Sequence, residues 1–438
     1  MRVLLATLGS RGDVEPFLSL ALALQHAGHE PVLCASRRFE TWITGWGVAY
    51  EPMDDGFVAL LESLEGRAGL ERAASPLGMA RTVWRLAPQV KPLQLQVQRD
   101  LWRAAQACRP EGLVFHVKLT GAPDIADALG IPAALLLLAP VLQPTAAFAC
   151  PVFPAWLRAR GGPRARRAGY RLVNMLSRRI GTGPALAWRR EMGMGPRPPR
   201  LDLLHDAAGR PWPVLHAHSA SLLPRPADWP AHAEVTGFLR LPASTAWHPS
   251  PALQAFLDAG PPPVYIGFGS MAGRDPQARA AQALAALAQA GLRGVIGRGW
   301  GGLQPDQLPP QVFALDEAPH DALFPHMAAV VHHGGAGTTA AGLLAGRPSL
   351  ICPFFGDQPF WGALVHQQGL GPAPLSQRDF SAEALAGRLR PLVGDPAMGR
   401  ACQAMAARLQ QENGGRQAVR ALERQWAGGG FNRARPPA

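Results

Sequence analysis

One repeating pattern dominates the chain: short apolar runs lead through glycine-rich turns into helix-like segments. The run "RVLLATLG" (2–9) precedes the helical spacing of "VEPFLSLALALQHAG" (14–28) and a second apolar run, "EPVLCAS" (30–36). The runs "GLVFHV" (112–117) and "PAALLLLAP" (132–140) continue the series. Continuous apolar runs are typical of strands buried on both faces, and their alternation with helices predicts a doubly wound parallel sheet.

The same alternation begins again after a proline-rich stretch at residues 241–262, which we interpret as a linker with one short helix. Five further apolar runs follow this stretch, and each has a helix-like or turn-like exit. Two α/β domains separated by a cleft are therefore expected. The predicted organisation is an N-terminal domain (1–240), the linker (241–262), a C-terminal domain (263–410), a last helix (411–427) and a disordered tail (428–438).

Length, composition and the apolar runs indicate what kind of protein the chain is and where it is expected to be located. With 438 residues and 47% hydrophobic content, the chain can build two buried cores. The opening apolar run is too short for a signal peptide, and the run at 131–142 is interrupted by prolines, so we expect a cytoplasmic protein. The five cysteines are scattered without a C-x-x-C pair, which indicates reduced thiols and no zinc site.

The strongest chemical signal is the turn "HHGGAGTT" (332–339), which lies between an apolar run and a helix-like segment. Glycines let the backbone approach a ligand closely, and a helix N-terminus offers free amides to an anion. Together with His333, this turn predicts a diphosphate site. The structural alternative is a tight turn capped by threonine.

Two other strand exits offer complementary chemistry. Asp357 and Gln358 follow the run at 348–355 and supply the donors and acceptors needed to bind sugar hydroxyls, although they could also only begin a helix. Asp13 ends the turn "GSRGD" (9–13), where an aspartate commonly caps a helix. Ligands of open parallel sheets bind at such exits, so these residues are expected to face one crevice.

Three common nucleotide motifs are excluded. The first turn reads G-x-x-G-D and not G-x-G-x-x-G, and the second strand ends without an acid for a ribose. No Gly-Lys-Ser/Thr sequence follows a glycine-rich loop, and the adjacent Asp54 and Asp55 do not form an Asp-x-Asp metal motif. A dinucleotide fingerprint, a P-loop and a metal-dependent nucleotide-sugar site are therefore not expected.

Taken together, five segments resemble the UDP-sugar glycosyltransferases of the GT-B fold: 9–17, 224–238, 265–271, 315–343 and 353–362. They are most similar to the sterol 3-beta-glucosyltransferases and their bacterial relatives, which include glycopeptide-antibiotic glucosyltransferases. The resemblance implies two facing Rossmann-like domains, with the acceptor bound by the first and the nucleotide sugar by the second. It also implies that the last helix crosses back onto the first domain.

Carried over residue by residue, the resemblance implies that Asp13 is the general base. The positions that match nucleotide-sugar contacts are Ser10, Arg11, Gly12, Gly269, Ser270, Ala318, Pro319, His333, Gly335, Ala336, Gly337, Thr338, Asp357 and Gln358. Two positions depart from the plant pattern, because Glu317 replaces a tryptophan that stacks on uracil and Ala341 lies near the place of a ribose-binding glutamate. Trp300 could stack on the base instead, or could only pack.

The implied reaction is an inverting transfer of a hexose, expected to be glucose, from a UDP-sugar to a hydroxyl of a hydrophobic acceptor. The acceptor classes are a sterol or triterpenoid-like lipid and an aromatic natural product, and the reaction requires neither a cofactor nor a metal. Burial between the domains is expected to raise the pKa of Asp13. A nucleotide-sugar epimerase and a non-catalytic nucleotide-sugar-binding protein remain the alternatives.

Residues 141–200 match the family least and are expected to shape the acceptor pocket. Basic side chains alternate there with apolar and aromatic ones between Arg158 and Arg179, within a region that lacks acids from Ala128 to Arg190. Such a stretch predicts peripheral contact with an anionic membrane, at the inner face, or alternatively a solvated basic surface. Nucleic acid is not expected as a partner, because no recognition motif is present.

Overall fold

The computed structural model describes residues 1–62, 76–153, 161–242, 247–269, 275–299, 303 and 307–428. The predicted tail and the beginning of the basic stretch lie outside these residues. None of the helices in these ranges is long and apolar enough to cross a bilayer.

The first sheet has seven parallel strands in the order β3-β2-β1-β4-β5-β6-β7. Its strands are β1 (Arg2–Ala6), β2 (Glu30–Ser36), β3 (Ala49–Met53), β4 (Gly112–His116), β5 (Ala133–Leu137), β6 (Val214–His216) and β7 (Ala233–Val235). The helices of this half are α1 (Arg11–His26), α2 (Glu40–Gly45), α3 (Gly56–Glu62), α4 (Pro76–Cys108), α5 (Ala122–Leu129) and α6 (Pro163–Glu191).

The second sheet has five parallel strands in the order β10-β9-β8-β11-β12. Its strands are β8 (Val264–Gly267), β9 (Gly294–Gly297), β10 (Val312–Leu315), β11 (Ala329–His332) and β12 (Ser349–Ile351). The helices of this half are α7 (Pro251–Asp258), α8 (Pro276–Ala290), α9 (His320–Leu323), α10 (Ala336–Leu344), α11 (Gln358–Gln367), α12 (Ala382–Gly394), α13 (Pro396–Gln410) and α14 (Gly414–Gly428). The predicted class, two doubly wound parallel-sheet domains, is confirmed.

Strand β1 explains why its sequence is apolar without alternation. Val3 and Leu5 are buried in one apolar cluster, whereas Leu4 and Ala6 are buried in another on the opposite face of the sheet. Successive side chains of a strand point to opposite faces, so a strand covered by helices on both sides needs apolar residues at every position.

Each sheet reverses its strand order once. Strand β1 lies between β2 and β4, and β8 lies between β9 and β11, with parallel register in all four pairs. At such a switch point the two neighbouring connections leave in opposite directions and open a crevice at the carboxyl ends of the strands. The topology therefore directs attention to the exits of β1, β4, β8 and β11.

The two halves are joined by packing as well as by the chain. Leu222 and Leu223, which follow β6, are buried in one cluster with Phe360 and Trp361 of α11. Helix α14 packs on α1, and its Ala418 is buried in the same cluster as the core side chains of that helix. The last helix thus crosses back from the second sheet to the first.

Candidate active site

Asp13 occupies the third position of α1, after Ser10, which is the N-cap residue. The Ser10 backbone nitrogen donates to Asp13 Oδ2 at 2.8 Å, and the Ser10 hydroxyl oxygen lies 3.2 Å from the same atom. Such reciprocal contact between the cap and the third position is typical of a capping box. The helix begins at Arg11, so Asp13 is not itself the cap.

Two side chains from β4 and its exit meet the other oxygen of Asp13. Lys118 Nζ donates to Asp13 Oδ1 at 2.8 Å, and His116 Nε2 lies 3.7 Å from the same oxygen. The Asp13 side chain is 17% exposed and that of His116 is 3% exposed. The exits of the neighbouring strands β1 and β4 thus bring a carboxylate, an ammonium group and an imidazole into contact.

The environment of Asp13 lowers its pKa. Burial acts to raise the pKa, but the charge of Lys118 and the interactions with His116 and Ser10 lower it below the ordinary value. The pKa of this carboxyl is therefore lowered overall, and the expectation of a raised pKa is wrong for this structure. Burial acts in the expected direction, but the ion pair with Lys118 and the other interactions together favour the charged form more than burial disfavours it.

Gly9 provides the space for this arrangement. Its φ is +141°, and a Cβ there would lie 2.0 Å from Asp13 Oδ2 and 2.7 Å from Lys118 Nζ. A side chain at this position would displace both charged groups, so a glycine is required on steric as well as conformational grounds.

A partly open cavity lies beside the ion pair and is lined by Lys118 together with residues of α4 and α6. Gln94 of α4 lines it, and its Oε1 is buried without a hydrogen-bond partner in the described structure. A neighbouring cavity shares Thr120 with the first and includes Asn174. Helix α6 falls within the predicted acceptor region, whereas α4 does not.

At the exit of β11, no ion pair of this kind is found among the residues that the structure describes. Gly334 has a φ of +92°, and a Cβ there would lie 2.6 Å from Ile351 Cγ2. Its backbone nitrogen donates to His332 Nδ1 at 3.0 Å. A Cβ on Gly335 would lie 2.6 Å from His333 Nε2. The turn therefore tolerates only glycine at these two positions, which brings its backbone close to the His333 ring.

His333 is neutral in this environment, because burial lowers its pKa to about 4. Its Nδ1 is buried and has no hydrogen-bond partner in the part of the chain that the structure describes. Gly269, at the exit of β8, is its neighbour: a Cβ on Gly269 would lie 3.9 Å from His333 Cε1. A neutral imidazole carries one N–H donor, so His333 can donate to an anion without adding a charge.

The N-termini of two helices meet near this turn. Helix α10 begins after Gly335, its N-cap residue; Ala336 and Thr338 are half-buried and Gly337 is exposed. Helix α1 contacts α10. The pKa of His320, in α9, is lowered to about 4 by burial, by the charge of Arg11 in the first turn of α1 and by His333. Two helix N-termini that meet in this way form a favourable anion site.

The exit of β12 faces the same region. Asp357 is the N-cap of α11, and its Oδ2 accepts from Trp361 Nε1 at 2.7 Å. Burial raises the pKa of Asp357, and the negative charge of Asp13 adds to this effect while Lys118 opposes it. This coupling places the two carboxyl groups and the lysine in one electrostatic environment.

Gln358 is placed differently from its neighbour. Its Oε1 accepts from the backbone nitrogens of Phe354 at 2.7 Å and Phe355 at 3.2 Å. The amide oxygen is thus used to hold the turn after β12. The structure therefore leaves only the NH₂ group of Gln358 for a sugar hydroxyl, whereas the sequence pattern had suggested both a donor and an acceptor.

The remaining predicted residues take varied positions. Gly12 lies in the first turn of α1, and the Arg11 guanidinium lies over the Trp42 ring, 4.7 Å from its centroid. Ala318 and Pro319 precede α9, of which Pro319 is the N-cap. Ser270 and Trp300 lie outside the described residues.

The sequence analysis missed Lys118, His116 and Gln94. Lys118 and His116 could have been found from topology, because the exit of β4 adjoins that of β1 at the switch point. Lys118 is also one of only two lysines among 43 basic residues. Gln94 had no such signal, since it lies on a helix far from any recognisable motif.

Several solved glycosyltransferases share this architecture. The glycotransferase of kitacinnamycin matches with a TM-score of 0.69 at 18% identity, covering 97% of this chain and 98% of that one. Spinosyn forosaminyltransferase SpnP matches with a TM-score of 0.64 at 19% identity, covering 98% and 99%. These likenesses define the class, which is the GT-B fold.

Family models and relatives give the narrower assignment. Residues 3–100 match the glycosyltransferase family 28 N-terminal domain, and residues 302–423 match the C-terminal domain of erythromycin biosynthesis protein CIII-like proteins. The O-mycaminosyltylonolide 6-deoxyallosyltransferase of Streptomyces fradiae is 32% identical over 438 residues, which is 98% of both chains. The protein belongs to this family of GT-B glycosyltransferases.

The plant sterol enzymes are also homologous. Sterol 3-beta-glucosyltransferase UGT80A2 of Arabidopsis thaliana is 32% identical over 435 residues, which is 96% of this chain and 65% of the relative. Sterol 3-beta-glucosyltransferase of Emericella nidulans is 30% identical over 441 residues, and only 30% of its length is covered. The chain thus spans about two thirds of the plant relatives and about a third of the fungal ones.

Proposed function

We propose that this glycosyltransferase moves a hexose, in the first instance glucose, from a UDP-sugar to a hydroxyl group of a hydrophobic acceptor, with inversion at the anomeric carbon. The observation that best supports this proposal is the position of Asp13. Its carboxylate lies beside the cavity lined by Lys118 and interacts electrostatically with Asp357 of the other sheet. An acceptor in that cavity and a sugar near Asp357 would meet at Asp13.

In the proposed reaction, the acceptor oxygen attacks the anomeric carbon while the bond from that carbon to the nucleoside diphosphate breaks. Asp13 takes the proton of the attacking hydroxyl. Because its pKa is lowered, it is a weak base, and the proton transfer would have to be late and concerted with bond breaking.

The leaving diphosphate gains negative charge as the sugar departs. We place the diphosphate at the first turns of α1 and α10, where backbone amides would donate to the developing charge, and His333 would supply a neutral N–H donor. Preorganised donors of this kind stabilise a leaving anion without needing to reorient during the reaction. Asp357 would accept a hydrogen bond from a sugar hydroxyl.

The nucleotide base of the sugar donor and the identity of the acceptor need a direct test. Among the structural neighbours, one structure of the Streptomyces sp. SF2575 glycosyltransferase SsfS6 is a complex with thymidine diphosphate. Sugar donors that carry uracil and thymine should therefore be compared. The protein would be incubated with UDP-, dTDP- and GDP-sugars, with and without sterol and phenolic acceptors, and products identified by mass spectrometry.

The outcomes separate the three candidate functions. Acceptor-dependent formation of a glucoside from UDP-glucose supports the proposal. A changed sugar with no acceptor present indicates an epimerase, and nucleotide-sugar binding without any product indicates a non-catalytic binding protein. Preference for a dTDP-sugar would refute UDP as the donor nucleotide and leave the transfer reaction in place.

We further propose that α6 contacts an anionic membrane from which a lipid acceptor is taken. Its Leu172, Met175, Leu176 and Ile180 are 44%, 44%, 46% and 50% exposed, and arginines interrupt this apolar stripe. Helices with this composition bind at lipid interfaces.

Co-sedimentation with vesicles tests the membrane proposal. Phosphatidylcholine vesicles with phosphatidylglycerol should bind the protein, whereas Ile180→Ser should weaken binding severalfold. Val393→Ser is the matched control, because Val393 is 39% exposed on α12, away from α6. Equal binding by both variants, or no binding at low salt, would refute the proposal.

A further inference from the structure

Lys118 holds one side of the Asp13 carboxylate while the start of α1 holds the other. The Lys118 ammonium donates to Oδ1 at 2.8 Å, and the Ser10 backbone nitrogen donates to Oδ2 at 2.8 Å. The two donors come from different strand exits, after β4 and β1. A carboxylate fixed at both oxygens cannot rotate freely, so the plane of Asp13 is set before any ligand binds.

The charged and titratable groups around Asp13 differ in what they can contribute. His116 lies 3.7 Å away, but burial lowers its pKa to about 4, so it is neutral near pH 7. Asp357 faces Asp13 from α11 and repels its negative charge. On α1 itself, Arg11 lies 3.8 Å from Glu15. Among these groups, Lys118 is the cation in direct contact with Asp13.

The residue type at this position is also informative. Among 43 basic residues the chain has lysine only at 91 and 118, so arginine is its usual cation. The Lys118 nitrogen lies in the space that Gly9 leaves free, 2.7 Å from where a Gly9 Cβ would be. A compact ammonium group fits this space, whereas a planar guanidinium group is larger and donates in a fixed fork.

Lys118 also borders the cavity in which we place the acceptor, and its side chain is 35% exposed. An ammonium group has three N–H donors, of which Asp13 uses one. The same lysine thus touches the proposed base and the space for the attacking hydroxyl.

From this geometry we infer that Lys118 is a positioning residue: it keeps Asp13 ionised and holds its carboxylate towards the acceptor cavity. This inference rests on the proposed role of Asp13 as the base. It assigns to the exit of β4 a function in catalysis that none of the recognised motifs includes.

Three variants and one control test the inference. Lys118→Met removes the charge and the hydrogen bond, Lys118→Gln keeps a donor without the charge, and Lys118→Arg keeps the charge in another shape. Lys91→Met is the control, because it removes the other lysine from an exposed position on α4. Thermal unfolding of each variant checks that it is folded.

The decisive measurement is the dependence of kcat on pH. With Lys118→Met and Lys118→Gln, the acidic decline should move to higher pH. On the acidic limb of the profile, below the wild-type apparent pKa, turnover relative to the plateau should fall about tenfold for each unit of this shift, since one pKa unit changes the ionised fraction about tenfold there. Lys118→Arg should keep the wild-type decline with a lower kcat, and Lys91→Met should change neither.

An unchanged acidic decline in folded Lys118→Met and Lys118→Gln would overturn the inference, even if the acceptor KM rose, because Lys118 would then only bind the acceptor. A second readout needs no activity: the Asp13 carboxyl titration, followed by carbon-13 NMR, should move to higher pH in Lys118→Met. If Asp13→Asn kept full turnover, the proposed base would be wrong, whereas this titration would still report the ion pair.

Discussion

The switch points of the two sheets differ in how the groups assigned to the two substrates are paired. At β1 and β4, both oxygens of Asp13 have hydrogen-bond donors within the protein. At β8 and β11, His333 Nδ1 is buried without a partner among the residues that the structure describes, and the exposed Gly337 lies at a helix N-terminus. The same topology therefore holds the ion pair of Asp13 and Lys118 in one half. In the other half it places His333 and a helix N-terminus where they can donate to a ligand.

This difference shows what each half contributes to glycosyl transfer. A paired carboxylate has a fixed position and a fixed charge, which suits a group that must meet an uncharged hydroxyl. Free N–H donors cost stability when buried and gain it when an anion arrives, which suits a group that binds a diphosphate. Three predictions test this difference between the two halves.

The largest effect is expected for Asp13→Asn. Loss of the base should reduce kcat by about 100- to 10,000-fold, the usual contribution of general base catalysis. Calorimetric titration should show nearly unchanged affinity for the nucleotide sugar, since the diphosphate donors lie elsewhere. Turnover close to that of the wild type would remove Asp13 from the reaction.

Gly334→Ala should have the next largest effect, because its methyl group would lie 2.6 Å from Ile351 Cγ2 at a φ of +92°. Strain of this kind costs about 1–3 kcal/mol, so we expect lower thermal stability and about tenfold weaker UDP-glucose binding. Gly387→Ala on α12 is the control, since its Cβ would meet nothing within 4 Å and it lies outside the turn. Equal losses in both variants would show that strain in the turn is not the cause.

The third prediction concerns the dependence of stability on pH, which is expected in both halves. Burial lowers the pKa of His116 and of His333 from 6.5 to about 4. Between these values the unfolded chain binds more protons, so the free energy of unfolding is highest above pH 6.5 and falls as the pH drops towards 4.

Urea unfolding at several pH values checks this sign. His116→Gln should flatten the decline by up to about 3 kcal/mol, because one pKa unit corresponds to about 1.4 kcal/mol. If the two halves unfold in separate transitions, His116→Gln should alter the first sheet's transition and His333→Gln the second's. A decline unaffected by either variant would assign the effect to other groups.

The sequence was sufficient for the parts that depend on local pattern. Strand β2 was predicted at 30–36, as observed, because its apolar residues are buried and its ends are marked by polar residues. The glycine turn at 332–339 was recognisable because the residues that shape it are adjacent. Strands β3, β6 and β7 were missed: β6 and β7 have three residues each, and β3 is an edge strand that is only half-buried.

What the sequence did not reveal depends on distant residues. The pKa of Asp13 is raised by burial and lowered by groups that include Lys118, which is 105 residues away along the chain and follows another strand. The amide oxygen of Gln358 accepts from the backbone of the turn before it, which leaves the NH₂ group for a sugar hydroxyl. Neither fact follows from the motif itself, since each is decided by what tertiary packing brings alongside.

Helix α14 has a mechanical consequence. The backbone passes between the sheets twice, once after β7 and once just before α14, where Glu412 Oε1 accepts hydrogen bonds from Ser219 and Ser221 at 2.6 and 3.0 Å. Because two separate chain segments connect the halves, neither half can rotate freely about one segment alone. The two crossings therefore act as a pair of hinges for the half that contains β8–β12. Rotation about the line that joins them is the motion that they restrict least.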